Sequence, residues 1–424
     1  MKKIAMLLIA INLLWGADKM EYIVVNGVKI PLIAEISNAL PLGNISIIFY
    51  GGGKVYERKA GLSAFSADML NRGSKRKGEI EFAEALESSA ISLNVANGTQ
   101  SLTFDMSFLR EKQGEAFALL AELLQSPNLT RKAYNQSFVA MKADILANEN
   151  NFDYIASKNL NALIFKDTPL GNALDSANLG DISLSDVKDF VKGALTLENA
   201  VVLVGGALDL EATKGDLVAL LESLPKGKKV EIPSISPTQT PQTTSIKKPT
   251  QQAYIYFAAP FKFDSYERDL HKMILMSFVI GSSGFGSRVM EEVRVRRGLA
   301  YSAYFSLNAN NVTSYASGYL QTSLENKDEA IKVLRAVVGE FLQNGITESE
   351  LKSAKNYIIG SRVLGNETLN QRLNKKFHNF NRGLPLNYDE ILVEKIKKTT
   401  LNELNAYIKA HSEVGILSFS IVTK

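Results

Sequence analysis

The sequence repeats one pattern of helices and strands twice in the same order. Residues 181–192 (DISLSDVKDFVK) match residues 398–409 (KTTLNELNAYIK) in their polar and apolar pattern, 217 positions further on. Each segment opens with Ser or Thr followed three residues later by an acidic residue, which is a helix-capping pattern. Each is followed by an apolar run rich in β-branched residues, at 199–206 and 414–422. An internal repeat of this kind restricts the chain to a fold built from two related units.

Two further matches extend the repeat towards the N-terminus. The helical pattern of residues 115–130 recurs at 329–347, and the strand-like run 44–53 recurs at 252–261. Chance similarity between amphipathic helices is the alternative, because apolar residues at i, i+3 and i+4 are common. Three matches in the same order and at nearly the same offset favour a duplication. The fold class predicted for each half is α+β, with helices packed on a largely antiparallel sheet.

The boundaries of the two units follow from composition. Residues 225–252 carry five of the eleven prolines, together with Ser, Thr and Gln, and they lack apolar periodicity. This composition predicts an extended, semi-rigid linker, which could act as a hinge or as a passive spacer. We therefore expect an N-terminal unit at 18–224 and a C-terminal unit at 253–424.

Residues 1–17 have the pattern of an export signal. Lys2 and Lys3 precede a short apolar run, and such a run is too short to span a membrane. A buried helix or an uncleaved anchor is the alternative interpretation. The rest of the sequence has no other long apolar segment, so we expect no membrane contact once the signal is removed. An exported chain without Cys fits the bacterial periplasm.

Few side chains are available for catalysis. The chain has no Cys, and its three His, at 271, 378 and 411, all lie in the second half and far apart in sequence. The absence of Cys excludes disulfides, thiolate zinc sites and Cys nucleophiles. The formal charge of +4, from 48 basic and 44 acidic side chains, includes no basic block and gives no indication of nucleic-acid binding.

Three segments resemble the pitrilysin/insulinase family of metallopeptidases, in the half-length branch that is similar to mitochondrial processing peptidase. Residues 59–78 (KAGLSAFSADMLNRGSKRKG) resemble its metal-binding helix, and residues 92–106 (SLNVANGTQSLTFDM) resemble the strand pair that follows. Residues 281–307 resemble its Gly-rich turn and R-E-x-x-G-L-A-Y segment, the most specific of the three. The resemblance implies two homologous metallohydrolase-like units. Residues 92–106 could pair with an extended peptide, or they could form an ordinary internal strand.

The sequence departs from the family at the metal. The family motif H-x-x-E-H supplies two His ligands and a Glu base from one helix, and a later Glu completes the site. Here the His positions are Ala64 and Asp68, the base position is Ala67, and the later Glu position falls on Asp144. A methyl group neither binds metal nor accepts a proton, and two carboxylates suit zinc poorly. We therefore expect no metal and no complete catalytic set in this chain.

The second half keeps the other part of the family's active centre. In the family, an Arg and a Tyr seven residues apart hydrogen-bond the substrate carbonyl and the developing oxyanion. Arg294 and Tyr301 have this spacing within VRVRRGLAYS. The resemblance implies that both contact substrate, whereas the spacing alone favours a solvated helix cation and a half-buried strand residue.

Together these features predict the zinc-free subunit of a heterodimeric periplasmic metalloendopeptidase, inactive by itself. A homologous partner with an intact H-x-x-E-H motif would hold the zinc. This chain would contact an unfolded or extended peptide through Arg294 and Tyr301 and close the proteolytic chamber. Two alternatives stay open: an inert peptide-binding or scaffold protein, and a self-sufficient peptidase with an unrecognised site around Asp68 and Asp144.

Overall fold

A computed structural model describes residues 20–362 and 364–424, and the predicted signal at 1–17 lies outside these ranges. The described chain consists of two α+β halves, each built on one sheet. Within these ranges, no helix combines the length and the apolar character needed to cross a bilayer.

The first half contains these elements in chain order: β1 (Glu21–Val25), β2 (Val28–Ile36), β3 (Leu42–Tyr50), α1 (Leu62–Leu70), α2 (Gly78–Ser88), β4 (Ser92–Asn97), β5 (Ser101–Leu109), α3 (Gln113–Gln125), α4 (Arg131–Asn148), α5 (Phe152–Ile164), α6 (Leu184–Ala194), β6 (Ala200–Gly206) and α7 (Leu210–Leu221). The second half contains β7 (Thr243–Lys247), β8 (Gln252–Pro260), α8 (Tyr266–Ser277), α9 (Arg288–Met290), β9 (Ala300–Ala309), β10 (Ser314–Ser323), α10 (Lys327–Asn344), α11 (Glu348–Ser361), α12 (Leu369–Asn381), α13 (Tyr388–Lys398), α14 (Leu401–Ala410) and β11 (Ser418–Thr423). Two π-helical turns, Phe278–Ser282 and Glu291–Val295, follow α8 and α9.

The two sheets share one strand arrangement. The first has the order β1-β2-β6-β3-β5-β4 and the second the order β7-β11-β8-β10-β9. Each contains one parallel pair, β2 with β6 and β7 with β11, and its other pairs are antiparallel. In this shared arrangement, β3 of the first sheet corresponds to β8 of the second, and β6 corresponds to β11. The predicted duplication and the α+β class are confirmed.

The hairpin of β1 and β2 is not predicted from the repeat. Its turn is Asn26-Gly27, and both residues have positive φ, +49° and +78°. A two-residue type I′ turn requires this conformation, and Asn-Gly is the pair that adopts it most readily. This dipeptide between alternating apolar residues was therefore the local signal for the hairpin.

The central strand of the first sheet is buried on both faces. Val202 and Val204 of β6 belong to the main core of the first half. Val201 and Leu203 point the other way and pack against Leu373 of α12, which comes from the second half. Burial on both faces explains why the sequence of β6 is continuously apolar rather than alternating.

Helix α5 of the first half packs on the second sheet. Ile155 and Ala156 of α5 pack against Val422 of β11. Further along the same helix, Leu160 packs in a cluster with Ala258 of β8. Each half therefore covers one face of the other half's sheet with one of its own helices.

Polar contacts also hold α12 on the first sheet. The Glu35 carboxylate of β2 lies 2.8 Å from Arg372 Nε and 2.8 Å from Lys376 Nζ. Burial opposes ionisation of Glu35, but the hydrogen bonds from these two cations outweigh it and lower the pKa of the carboxyl. Nearby, the Tyr50 hydroxyl donates to Asn381 Oδ1 at 2.8 Å.

The predicted linker at 225–252 is bonded to both halves. Val230 N donates to Asn199 Oδ1 at 2.8 Å in the first half, and Ile235 N donates to Val312 O at 2.7 Å in the second. Residues Thr243–Lys247, expected to lie within the linker, form β7 because pairing with β11 satisfies their backbone groups. The second sheet therefore starts before the boundary expected at 253.

The Leu373→Ala substitution tests the packing of α12 from the second half on the first sheet. Leu373 is 3% exposed between the two halves, so its truncation leaves a cavity. We expect the free energy of unfolding, measured by urea denaturation, to fall by about 2–5 kcal/mol. Leu146→Ala, at a helical position that is 48% exposed, is the matched control. Equal effects of the two substitutions would contradict the packing of α12 on the first sheet.

Candidate functional site

Helix α1 carries the three positions that correspond to the metal motif. It starts after Gly61, whose φ of +81° is left-handed. The carboxylate of buried Glu57 accepts two backbone N–H groups at this end of the helix, and burial raises its pKa. Ala67 is 4% exposed and belongs to the core, while Ala64 and Asp68 are partly exposed.

Asp68 is engaged in an ion pair. Arg72 Nη2 lies 3.1 Å from Asp68 Oδ2, and Arg72 Nη1 lies 2.8 Å from Glu79 Oε1. The alanines at 64 and 67 supply no lone pair, and the guanidinium neutralises the one carboxylate on this face. A catalytic zinc needs three protein ligands, usually including imidazole. The residues present on α1 do not fit that ion.

Asp144 does not complete the set. It lies on α4, which packs beside α1 with the rings of Phe65 and Tyr134 5.1 Å apart, and its side chain is exposed. In the described part of the chain, no group of three or more His, Cys, Asp or Glu side chains is placed to hold a metal ion. The positions named from the motif therefore do not converge on a donor cluster.

The histidines serve other contacts. His271 is buried, with Nε2 3.6 Å from Glu403 Oε1, and His411 Nδ1 lies 2.8 Å from Glu413 Oε1. Burial lowers the pKa of His271 and of His378, so both side chains are uncharged at neutral pH.

Arg294 and Tyr301 meet in the structure. Arg294 lies in the π-helical turn Glu291–Val295, and Tyr301 is the second residue of β9. The chain reverses between them at Gly298, whose φ is +61°. The Arg294 guanidinium carbon is 5.0 Å from the Tyr301 ring centroid and 4.8 Å from that of Phe285. The cation therefore contacts two aromatic rings within cation–π range.

The other arginines of this segment are neutralised. Glu292 accepts from Arg296 Nη1 at 2.6 Å and also from Arg297. The hydrogen bond from Arg297 lowers the pKa of the Glu292 carboxyl, so the pairs persist at neutral pH. Within residues 20–362 and 364–424, Arg294 has no carboxylate partner. Its charge is available to an incoming group.

An open pocket of about 420 Å³ lies beside this pair. Tyr301 is 73% exposed at its border, and Gln252, Gln321 and Thr322 contribute to its lining. Gln321 Nε2 donates to Gln252 Oε1 at 2.7 Å. A guanidinium and a phenol donate hydrogen bonds, and primary amides both donate and accept. This combination suits the carbonyl and amide groups of a peptide backbone.

Phe285 is a site residue that the sequence did not single out. It lies in the Gly-rich residues 281–287, at the start of the segment that resembles the family's Gly-rich turn. Gly284 and Gly286 on either side have φ of +69° and +88°, and Phe285 is 67% exposed. A large apolar residue between two glycines was the available signal.

Helix α1, at the place of the family's metal-binding helix, is called here the metal-type helix. Two homologous α+β halves, with this helix in the first and the Arg294/Tyr301 pair in the second, define the architecture of processing-peptidase-like proteins. Residues 45–177 match the family model for insulinase, peptidase family M16. Residues 181–358 match the model for the peptidase M16 inactive domain.

Relatives and solved structures agree with these matches. The non-peptidase homolog YmxG of Helicobacter pylori is 40% identical over 402 residues, which cover 94% of this chain and 93% of that protein. The peptidase M16 inactive domain from Pseudomonas fluorescens has a TM-score of 0.85 at 23% identity, covering 95% of this chain and 97% of that one. The periplasmic protease PqqL of Escherichia coli has a TM-score of 0.75 at 10% identity, covering 96% of this chain and 46% of that one. The chain belongs to the pitrilysin/insulinase (M16) family and is a member that lacks the zinc motif.

A zinc titration tests the loss of the metal site. We expect the purified chain to bind no stoichiometric zinc by isothermal titration calorimetry, because α1 offers no imidazole. The Ala64→His/Asp68→His double variant should gain measurable binding, since it places two His at i and i+4 on one helical face. One tightly bound zinc in the unmodified chain would contradict the site as described.

Proposed function

We propose that this chain is the zinc-free subunit of a heterodimeric periplasmic metalloendopeptidase. In the proposed assembly, Arg294 and Tyr301 contact the peptide substrate, and the chain closes one side of the proteolytic chamber. One observation carries the proposal. A guanidinium without a carboxylate partner in the described chain stands beside a 73%-exposed Tyr at an open pocket, in a protein whose metal positions have no ligand set.

The chemistry of the pair fits peptide hydrolysis. The planar guanidinium donates in a fixed fork, and it stays charged at any physiological pH. The Tyr301 hydroxyl adds a second donor beside it. When water attacks a peptide carbonyl, negative charge develops on the carbonyl oxygen, and preorganised donors stabilise that charge. The two side chains would bind the carbonyl in the substrate and the oxyanion in the transition state.

A partner has to supply the rest of the reaction. This chain has Ala67 where the family has its general base, and its helix α1 does not fit a zinc ion. A homologous subunit with an intact H-x-x-E-H motif would contribute the metal, its water and the base. The H. pylori relative is named a non-peptidase homolog, and the P. fluorescens structure is titled an inactive domain. We infer the same lack of independent activity for this chain.

The periplasmic location is proposed from the predicted signal at 1–17. The fold of the chain is similar to that of PqqL, which is described as a periplasmic protease. An unfolded or extended peptide in that compartment is the proposed substrate class.

The other two hypotheses differ in their support. The structure gives no support to a self-sufficient peptidase around Asp68 and Asp144. Asp68 is paired with Arg72, and Asp144 is exposed on a different helix. An inert scaffold or peptide-binding protein predicts a stable assembly in which Arg294 has no effect on hydrolysis. The mutation of Arg294 therefore separates this second alternative from the proposal.

The composition of the native assembly tests the partner. We expect native mass spectrometry of the chain, purified from its own periplasm, to show a heterodimer with one zinc and a second chain bearing H-x-x-E-H. A zinc-free monomer or homodimer would contradict the heterodimer.

The Arg294→Ala substitution tests the catalytic role. We expect peptide turnover by the assembled complex to fall by about 10²–10³-fold, the usual effect of removing an oxyanion donor. Arg296→Ala is the matched control, because it removes a cation two residues away that Glu292 already neutralises. Its activity should stay close to that of the unmodified complex. Full activity of the Arg294→Ala complex, with assembly verified by size-exclusion chromatography, would overturn the role.

A further inference from the structure

Strand β4 lies at the edge of the first sheet, and no other strand of the described chain adjoins its outer side. It pairs with β5 through its inner side, with Val95 opposite Phe104. The outward N–H and C=O groups of an edge strand are a template for an extended peptide, which can add to the sheet by main-chain hydrogen bonds. Of the segment 92–106, β4 is therefore an edge strand, whereas β5 is an internal strand between β3 and β4.

The side chain of Asn71 occupies this edge at its centre. Asn71 follows α1, and its Nδ2 donates to Val95 O at 2.7 Å. Val95 N donates to Asn71 Oδ1 at 2.8 Å, and Nδ2 also bonds Ala67 O at 3.0 Å. A primary amide has one acceptor and donors in the same arrangement as a peptide group. It therefore pairs with Val95 as one residue of an added strand would.

The position of Val95 on β4 determines how the Asn71 side-chain amide blocks the addition of a peptide strand. Hydrogen-bonding groups point to alternate sides along an antiparallel strand, so Leu93 and Asn97 present theirs on the same side as Val95. A peptide added to β4 would bond these three residues, and the central one is already occupied. The side chains of Asn94 and Ala96 are exposed, so the face of the strand itself is accessible.

The second half closes its equivalent edge in a related way. Strand β9 is the edge of the second sheet, and Leu307 N donates to Ser277 Oγ at 3.0 Å. The backbone of Gly281 lies so close to β9 that an added Cβ would stand 2.6 Å from Phe305 N. In both halves, a side chain from a preceding helical segment thus bonds at least one outward backbone group of the edge strand.

We propose that Asn71 closes a strand-addition site for extended peptides on β4. Replacing its amide would expose the outward groups of Val95 and create a peptide-binding edge. The closure is a property of the isolated chain and does not depend on the heterodimer. If the proposed function is also correct, this chain contacts substrate through side chains only, and main-chain pairing with the peptide falls to the partner.

The Asn71→Ala variant of the full chain tests the closure. The probe is a fluorescein-labelled ten-residue peptide in which Val alternates with Thr and Lys, with binding followed by fluorescence anisotropy. We expect the affinity to rise by roughly ten- to thirtyfold over the unmodified chain, because two hydrogen bonds no longer have to be displaced. Hydrogen exchange should show the Val95 amide protected in the unmodified chain, unprotected in the variant and protected again when the peptide is bound.

Two further variants make the result decisive. Asn71→Asp keeps the side-chain size and the acceptor for Val95 N–H, so it covers the case in which Ala disturbs folding, and it should bind the peptide with intermediate affinity. Asn344→Ala, at an exposed asparagine on α10, should bind like the unmodified chain. Equal peptide affinity in all four proteins, or unchanged exchange at Val95, would overturn the proposal. Neither result would alter the turnover expected for Arg294→Ala, which is measured in the assembled complex.

Discussion

The reciprocal packing of helices between the halves is the contact on which the rest of the structure depends. Helix α5 of the first half covers the second sheet, and α12 of the second half covers the first sheet. The faces so covered carry Val201 and Leu203 in one sheet and Ala258 and Val422 in the other, and water would otherwise reach these side chains. Because each half completes the other, neither can be removed without exposing apolar surface. The reciprocal packing of α5 and α12 therefore fixes where the metal-type helix lies relative to Arg294 and Tyr301.

The two halves share one topology, but their side chains have diverged in chemistry. In the first half, the metal-type positions serve packing and surface ion pairing, with Ala67 in the core and Asp68 paired to Arg72. In the second half, local charge pairing neutralises the neighbouring arginines and leaves Arg294 available beside an exposed Tyr301. Side chains also bond outward backbone groups of the edge strands β4 and β9. In the role proposed above, this chain presents donors to a substrate, and metal chemistry and strand pairing are left to the partner.

A large part of this description could be predicted from local sequence patterns. Helical and strand periodicities repeat at a constant offset, so the duplication and the α+β class follow without any knowledge of contacts. The lack of a metal-binding side chain at positions 64 and 67 could likewise be predicted, because a methyl group has no lone pair in any fold. Arg294 and Tyr301 were named from the resemblance of residues 281–307 to the family segment, because their spacing alone is not specific. The hairpin at Asn26 was missed because the repeat contains no counterpart to it, although its turn residues were a sufficient local signal.

The sequence by itself therefore determined the duplicated fold class and the lack of a metal-binding side chain at positions 64 and 67, since both depend on residue type and short-range spacing. Only the tertiary structure decided which sheet α5 and α12 cover, because an apolar stripe does not specify its partner. It also decided that Glu292 pairs with Arg296 and Arg297, while Arg294 has no carboxylate partner in the described part of the chain; three similar cations in one segment do not reveal this difference. The pairing of Asn71 with β4, 24 residues away, was likewise invisible, since it depends on how α1 packs beside that strand.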